Sequence, residues 1–269
     1  MRKLILSTIL AACSCSALGE APAHLRWLSD HYQQTADTAR QLWEYAEVGY
    51  QETRSSQLLQ DQLAAAGFTI EAGVADIPTA FVASYGKGGP VLGILGEFDA
   101  LPGITQDSVP TRSLLEEKAA GHACGHNLFG AGSSAAAIAI KEWLDQTGTP
   151  GTIRFYGTPA EEGGSGKVYM VRAGLFDDVD FALHWHPSDQ NSAAAQTTLA
   201  NRSAKFRFTG VSAHAAGAPD RGRSALDGVE AMNMMVNMMR EHVPQETRIH
   251  YVITEGGKAP NVVPDYAEV

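Results

Sequence analysis

Apolar positions recur at helical spacing through residues 24–46, where Leu25, Leu28, His31, Tyr32, Ala36, Leu42 and Tyr45 fall on roughly one face. Gly49 interrupts the pattern. A second amphipathic run over 53–66 turns Leu58, Leu59, Leu63 and Ala64 inward before Gly67 stops it. The period then changes. Residues 68–72, 80–85 and 91–95 read as strands, and Val91-Leu92-Gly93-Ile94-Leu95 is apolar throughout, as suits a strand covered on both faces. Residues 104–120 read as a polar surface loop, 128–144 as a buried Ala-rich helix, 152–156 as a strand, 167–173 as a short helix and 179–185 as a further strand. Strands alternating with helices predict an α/β fold, a mixed sheet with helices on both faces.

The composition shifts after Pro187. Residues 188–198 are small and polar, as a linker would be. A strand at 204–208, a loop at 210–223, a Met-rich amphipathic helix at 224–242 and strands at 247–254 and 262–269 follow, which predict a second, smaller α+β unit. The expected domains are therefore 21–190 and 199–269. No internal repeat is present.

Composition narrows the function. The 269 residues are 44% hydrophobic, enough for a sizeable core, and carry a formal net charge of −10 without any Lys/Arg run. That argues against nucleic acid as a partner. Arg2 and Lys3 precede the apolar run Leu4-Ile5-Leu6-Ser7-Thr8-Ile9-Leu10-Ala11-Ala12, which reads as an export signal over 1–20, too short to span a membrane. Leu10-Ala11-Ala12-Cys13 resembles a bacterial lipobox, in which Cys13 would be lipidated; ordinary cleavage near Ala17-Leu18-Gly19 is the alternative. Either route exports the protein, to the periplasm or to a lipid anchor at Cys13, the only membrane attachment expected. Of the three cysteines, Cys13 and Cys15 lie in or beside the signal, so Cys124 stands alone in the body of the chain. A lone thiol in an exported protein forms no intrachain disulfide framework and points to metal ligation or nucleophilic chemistry.

Cys124 sits in Gly121-His122-Ala123-Cys124-Gly125-His126-Asn127, just before the Ala-rich helix. Thiolate and neutral imidazole are ligands that Zn²⁺ and its first-row neighbours prefer, so Cys124 and His126 are candidate ligands. An isolated Cys-x-His is more often structural; other ligand-type residues at strand ends change that balance. Glu161-Glu162 lies in a Gly-flanked turn after the 152–156 strand, where one carboxylate can bind a cation while the other holds a water. His184 and His186, spaced i and i+2, share one face if their strand continues, and either can ligate. Asp99, at the end of the all-apolar strand, can orient a ligand imidazole. Sites in open α/β sheets gather outside the carboxyl ends of the strands.

Read together, Asp99-Ala100-Leu101-Pro102, His122-Ala123-Cys124-Gly125-His126-Asn127, Pro159-Ala160-Glu161-Glu162-Gly163-Gly164, Trp185-His186-Pro187, Gly210-Val211-Ser212-Ala213-His214-Ala215, Gly222-Arg223-Ser224-Ala225-Leu226-Asp227 and Pro260-Asn261-Val262-Val263-Pro264 resemble, in order, the zinc-dependent aminoacylase/carboxypeptidase family of metallopeptidases, in its amidohydrolase branch. The resemblance implies a zinc-exopeptidase-like catalytic domain and the start of a lid/dimerisation domain. It implies one or two divalent ions, Zn²⁺ first, with Mn²⁺ or Co²⁺ as alternatives. Cys124 and His126 would bind metal, Cys124 bridging if there are two ions. Glu162 would be a further ligand and Glu161 the general base, with His186 favoured over His184 as the next ligand. His214 would reach across a homodimer to steady an oxyanion, and Asn261 would hold the substrate's amide or carboxylate. The implied substrate is a small amide: an N-acyl or aroyl amino acid or a dipeptide.

Two departures from the family pattern bear on this. Asn127 stands where much of the branch has Asp, and the chain stops at Val269, inside a lid strand, before the last sheet segment and late His ligand of family members. The expectation is an active longer parent, an incomplete metal shell in this chain and little activity from it alone. The competing readings are a cysteine hydrolase, with Cys124 as nucleophile and His122 or His126 as base, and a non-catalytic exported binding module or inactive fragment.

Overall fold

The structure is a computed structural model that describes residues 22–193 and 197–269. The expected export signal, with Cys13, lies outside the described residues. The chain divides into two compact units, Met1–Asn191 and Ser192–Val269. Among the described residues no helix is long and apolar enough to cross a membrane.

In the larger unit, α1 (Ala23–Asp30), α2 (Tyr32–Tyr45) and α3 (Thr53–Ala65) precede β1 (Thr69–Ala72), β2 (Phe81–Lys87) and β3 (Val91–Gly96). The short pair β4 (Leu101–Pro102) and β5 (Ala120–Gly121) leads into α4 (His126–Thr147), which is followed by β6 (Gly151–Gly157), a one-turn element α5 (Glu161–Gly164), α6 (Gly166–Arg172) and β7 (Phe181–Leu183). The five-stranded sheet has the order β1-β2-β6-β3-β7. It is mixed: β1, β2 and β6 pair antiparallel, whereas β3 runs parallel to β6 and to β7.

Strand alternation sorts the core into two layers. Phe81, Ala83, Ile94, Ile153 and Phe155 pack on one face with Leu42, Leu59 and Leu63 and with Ala131 and Ala137 of α4. Val82, Leu95 and Tyr156 point the other way, against Val74, Ile77 and Met170. Helices thus cover both faces, because successive side chains of a strand alternate between them. At one edge β7 leaves Phe181 and Leu183 exposed.

The helix expected over 24–46 is broken. His31 leaves helical dihedrals (φ −105°, ψ 14°), and its Nδ1 donates to the Trp27 carbonyl at 2.8 Å. The long helix begins at His126, earlier than its apolar pattern, because Gly125 adopts a left-handed conformation (φ 80°) as its N-cap. A side chain at 125 would also meet Pro187 Cβ at 2.9 Å, so this position needs glycine twice over. The last strand of this unit ends at Leu183, not at Trp185.

The smaller unit holds β8 (Arg207–Thr209), α7 (Ala225–Met239) and β9 (Tyr266–Glu268). Ser224 caps α7 by accepting from the Asp227 N–H at 3.2 Å. Ala225, Val229, Ala267 and Val269 form its core. The strand expected over 247–254 does not form: its contacts are scattered rather than a ladder, with Arg240 Nη1 donating to the Ile249 carbonyl at 2.6 Å, Asn237 Nδ2 to the Tyr251 hydroxyl at 3.2 Å and Thr254 N to Glu268 O at 2.9 Å. Apolar alternation without a ladder partner leaves the segment irregular. The strand expected over 262–269 shortens to β9: Val262 makes an isolated bridge to His214, and Pro264, which has no N–H to donate, interrupts the ladder between that bridge and β9.

Candidate metal centre

The parallel arrangement of β3, β6 and β7 brings the residues after their carboxyl ends to one rim of the sheet. Residues 97–99 follow β3, 158–162 follow β6 and 184–186 follow β7, while α4 delivers His126 as its first residue. Two overlapping donor groups result. Cys124, His126 and His186 form one, Glu97, His126 and Glu161 the other, and within each the ligand-type atoms lie within 4.8 Å of one another. His126, fully buried, belongs to both.

The imidazoles are turned for ligation. Nδ1 of His126 faces only acceptors, Asp99 Oδ1 at 2.9 Å and the Asp99 carbonyl at 3.1 Å, so it carries the proton and leaves Nε2 toward the site. His186 repeats the device: Nδ1 donates to the Pro187 carbonyl at 2.9 Å, and Nε2 stands 3.4 Å from Cys124 Sγ. His184 turns instead to Glu97, with Nε2 3.4 Å from Oε1. Beyond β7 the backbone is no longer extended in a ladder, so the two histidines do not share a strand face as their spacing suggested; they reach different partners. Phe129 packs edge-on against His184, Trp185 and His186 and forms the apolar wall behind them.

The acid pair divides. Glu161 Oε2 is half-exposed and 3.9 Å from His126 Nε2. The Glu162 backbone N–H donates to Asp99 Oδ2 at 2.8 Å, and its buried Oε1 has no hydrogen-bond partner. Asp99 thus orients both His126 and the acid-pair turn. His214 and Asn261 lie in the smaller unit on neighbouring segments: His214 bridges to Val262, Ala215 N donates to Asn261 O at 3.0 Å, and His214 Nδ1 accepts from Gly217 N at 3.0 Å. Asn127 donates to the Ala39 carbonyl at 3.1 Å and serves packing.

Glu97 is the participant that motif reading passed over. It is 2% exposed, and its Oε2 lies 2.9 Å from His126 Nε2, an ionic contact without hydrogen-bond alignment, since both atoms lack a hydrogen-bond partner. Lys167 and His184 hold its other oxygen. A signal existed: Glu97 and Asp99 are two residues apart at a strand end, so both carboxylates share a side, while the intervening Phe98 is fully buried in the core.

Electrostatics follow from this crowding. Burial, with Glu162, Glu161 and Glu97 close by, pushes the Cys124 thiol up to about 12. A nucleophilic cysteine at neutral pH needs the opposite shift. Burial disfavours a charged His126, yet Asp99 and Glu97 outweigh it and raise the imidazolium to about 10. Burial would also raise Glu97, but His126, His184 and Lys167 hold its carboxyl well below the usual range. Glu161 is raised, by burial and then by Glu97. His122 is lowered to about 4 by burial, and its Nε2 donates to the Leu42 carbonyl at 3.0 Å, away from the donor groups.

Three buried polar atoms here, Glu97 Oε2, His126 Nε2 and Glu162 Oε1, lack hydrogen-bond partners. Such atoms are costly unless something satisfies them. Converging carboxylate, imidazole and thiol donors fit a divalent cation such as Zn²⁺, which satisfies them together.

Comparison with known proteins bears on most of the chain. Residues 93–266 match the model of peptidase family M20/M25/M40. The chain is 50% identical over 241 residues to one of the subunits of p-aminobenzoyl-glutamate hydrolase from Escherichia coli (strain K12), covering 88% of this chain and 50% of that one. It is 31% identical over 244 residues to the Xaa-Arg dipeptidase of Mus musculus, covering 86% and 52%. Among solved structures, a dinuclear metal-binding peptidase of the M20 family from Bacillus subtilis superposes with a TM-score of 0.58 at 23% identity, covering 89% of this chain and 63% of that one, which shows the shared fold. The chain spans about half the length of these curated relatives. With a matching family model over most of its residues and a relative at half identity, the chain belongs to peptidase family M20/M25/M40.

Proposed function

We propose that the protein is a metal-dependent amidohydrolase that cleaves the amide bond of an N-acyl or aroyl amino acid, p-aminobenzoyl-glutamate among them, or of a small dipeptide. One observation carries the reading: a buried imidazole, His126, is shared by a thiol–imidazole donor group and a carboxylate donor group at the rim of one sheet. Similarity to part of an aminobenzoyl-glutamate hydrolase and to a dipeptidase supports the substrate class.

Cys124, His126 and His186 would hold the ion together with Glu162, whose buried Oε1 has no other partner, and His184 and Lys167 would steady Glu97 beside it. Bound there, Zn²⁺ (or Mn²⁺ or Co²⁺) would supply a Lewis acid that polarises the scissile carbonyl and acidifies the attacking water. Glu161 takes the water's proton, and its raised pKa suits a base working near neutrality. The water oxygen attacks the carbonyl carbon. His214, supplied by the small unit of a second copy, donates to the developing oxyanion, and Asn261 binds the substrate's polar end. Glu161 then passes the proton to the leaving amine. Assembly with a second copy through the small unit is supported by its exposed apolar side chains Met234, Met235 and Met238 on α7 with Val252 and Ile253 nearby in sequence.

The test is removal and return of the ion. Treatment with a chelator should abolish hydrolysis of p-aminobenzoyl-glutamate and of acyl-amino acids, and stoichiometric Zn²⁺, Mn²⁺ or Co²⁺ should restore it. Hydrolysis that survives chelation but is lost on thiol alkylation would transfer the chemistry to Cys124 as nucleophile. Stoichiometric cation binding without hydrolysis of any amide in the panel would leave a binding module.

A further inference from the structure

The turn that carries the acid pair is held from behind by a short segment before α3 that no motif marks. Glu52 is fully buried, and both of its oxygens are engaged: Oε1 accepts from the Ala160 N–H at 2.8 Å and Oε2 from the Thr79 hydroxyl at 3.0 Å. Ala160, also fully buried, sits in the left-handed region (φ 54°, ψ 44°), which an L residue with a Cβ adopts only when its surroundings enforce it. Gly49 presses against it so closely that a Cβ there would stand 3.0 Å from Ala160 Cα. The Tyr50 hydroxyl donates to the Gly164 carbonyl at 2.6 Å, closing the far end of the turn. From the site side, Asp99 accepts the Glu162 N–H. The backbone from 160 to 164 is therefore gripped at three points, two of them by carboxylates.

Burying a carboxyl group is costly, and an apolar side chain would fill the same space at less cost. Burial in fact raises the Glu52 pKa above the usual carboxylate value, and its hydrogen bonds offset that only in part. The bond that repays the cost lies one residue before Glu161. We propose that Glu52 is a positioning residue of the metal centre: by accepting the Ala160 N–H it locks the strained turn that aims Glu161 and Glu162 at the cation site. This rests on the assignment of that pair to the centre, and it deepens that assignment.

Three variants of the chain test it. Glu52→Leu removes the acceptor at near-constant volume. Glu52→Gln keeps an amide oxygen for Ala160 N–H, while the Thr79 hydroxyl can turn to accept from its NH₂. Leu144→Ala opens the core about 27 Å along α4 from His126 and serves as a control for lost stability alone. Cobalt affinity and the cobalt absorption spectrum report the centre; amide exchange over residues 158–166 in the metal-free chain reports the turn. Glu52→Leu should weaken cobalt binding about tenfold, alter the spectrum and speed exchange of the turn about tenfold, while Glu52→Gln stays within about threefold of the parent in each. Should Glu52→Leu fail to fold, Thr79→Val, which removes the other partner of the carboxyl group, should shift the same readouts in the same direction. The proposal is overturned if Glu52→Leu, or Thr79→Val in its place, leaves spectrum, affinity and turn exchange as Leu144→Ala leaves them. A parent chain that binds no cobalt would instead sink the metal-centre reading, and turn exchange would still decide the role of Glu52.

Discussion

Glu161→Gln lowers the turnover of a p-aminobenzoyl-glutamate-type amide by about 10²–10⁴-fold while the bound metal stays in place; this is the expected result if Glu161 is the base. The amide is nearly isosteric and cannot take a proton. Metal retention is the decisive half. Glu161 is half-exposed and 3.9 Å from His126 Nε2, whereas Glu162 turns a buried, unpartnered oxygen inward and lies close enough to Cys124 to raise its thiol. Glu162→Gln should therefore lose metal, and Glu161→Gln should not. Steady-state kinetics and elemental analysis on the same preparations decide it. Loss of metal from Glu161→Gln, with metal kept in Glu162→Gln, would exchange the two roles.

The second large effect is a steep pH dependence of metal affinity. In the empty site His126 is held protonated up to about 10 and the Cys124 thiol up to about 12. A cation needs Nε2 bare and the sulfur as thiolate, so binding near neutral pH must expel two protons. Affinity should rise about 10²-fold per pH unit between roughly 7 and 9, flatten toward tenfold per unit above about 10, and level beyond about 12. The same shifts bear on the metal-free fold. A histidine raised above its unfolded value contributes stability that is full below about 6.5 and is lost as pH climbs through about 10. The metal-free protein therefore weakens with rising pH over the range in which the metal-bound one gains. Calorimetric titrations in buffers of different ionisation enthalpy count the protons. One proton released instead of two would remove either Cys124 or His126 from the ligand set.

The sheet was readable because β3 is apolar throughout and β6 is a mostly apolar run between Gly151 and Gly157, and a buried strand writes its two covered faces into its own composition. The thiol and imidazole of the Cys124–His126 stretch were readable because ligand chemistry restricts residue type. Glu97 was hidden in plain view as the polar residue expected at a strand exit; only its two-residue offset from Asp99 marked it. Glu52 was hidden more deeply. Its importance lies in a backbone N–H more than a hundred positions away, at Ala160, and no local spacing encodes that. The histidines after β7 misled in the opposite sense: a period of two holds only while the ladder holds, and it ends at Leu183. Over 247–254, apolar alternation described a surface ready for a neighbour and could not say that a neighbour was there.

The rim at β7 has a consequence for handling the molecule. Among the described residues its outer backbone groups face no further strand, and Phe181 and Leu183 stand out beside them, so any extended segment, from a sister copy or a stranger, finds both amide partners and oil. Mutual repulsion from ten surplus negative charges holds such encounters off. Salt and acid each weaken that brake, so self-association through this three-residue ribbon should grow with ionic strength and as the pH falls toward the isoelectric point.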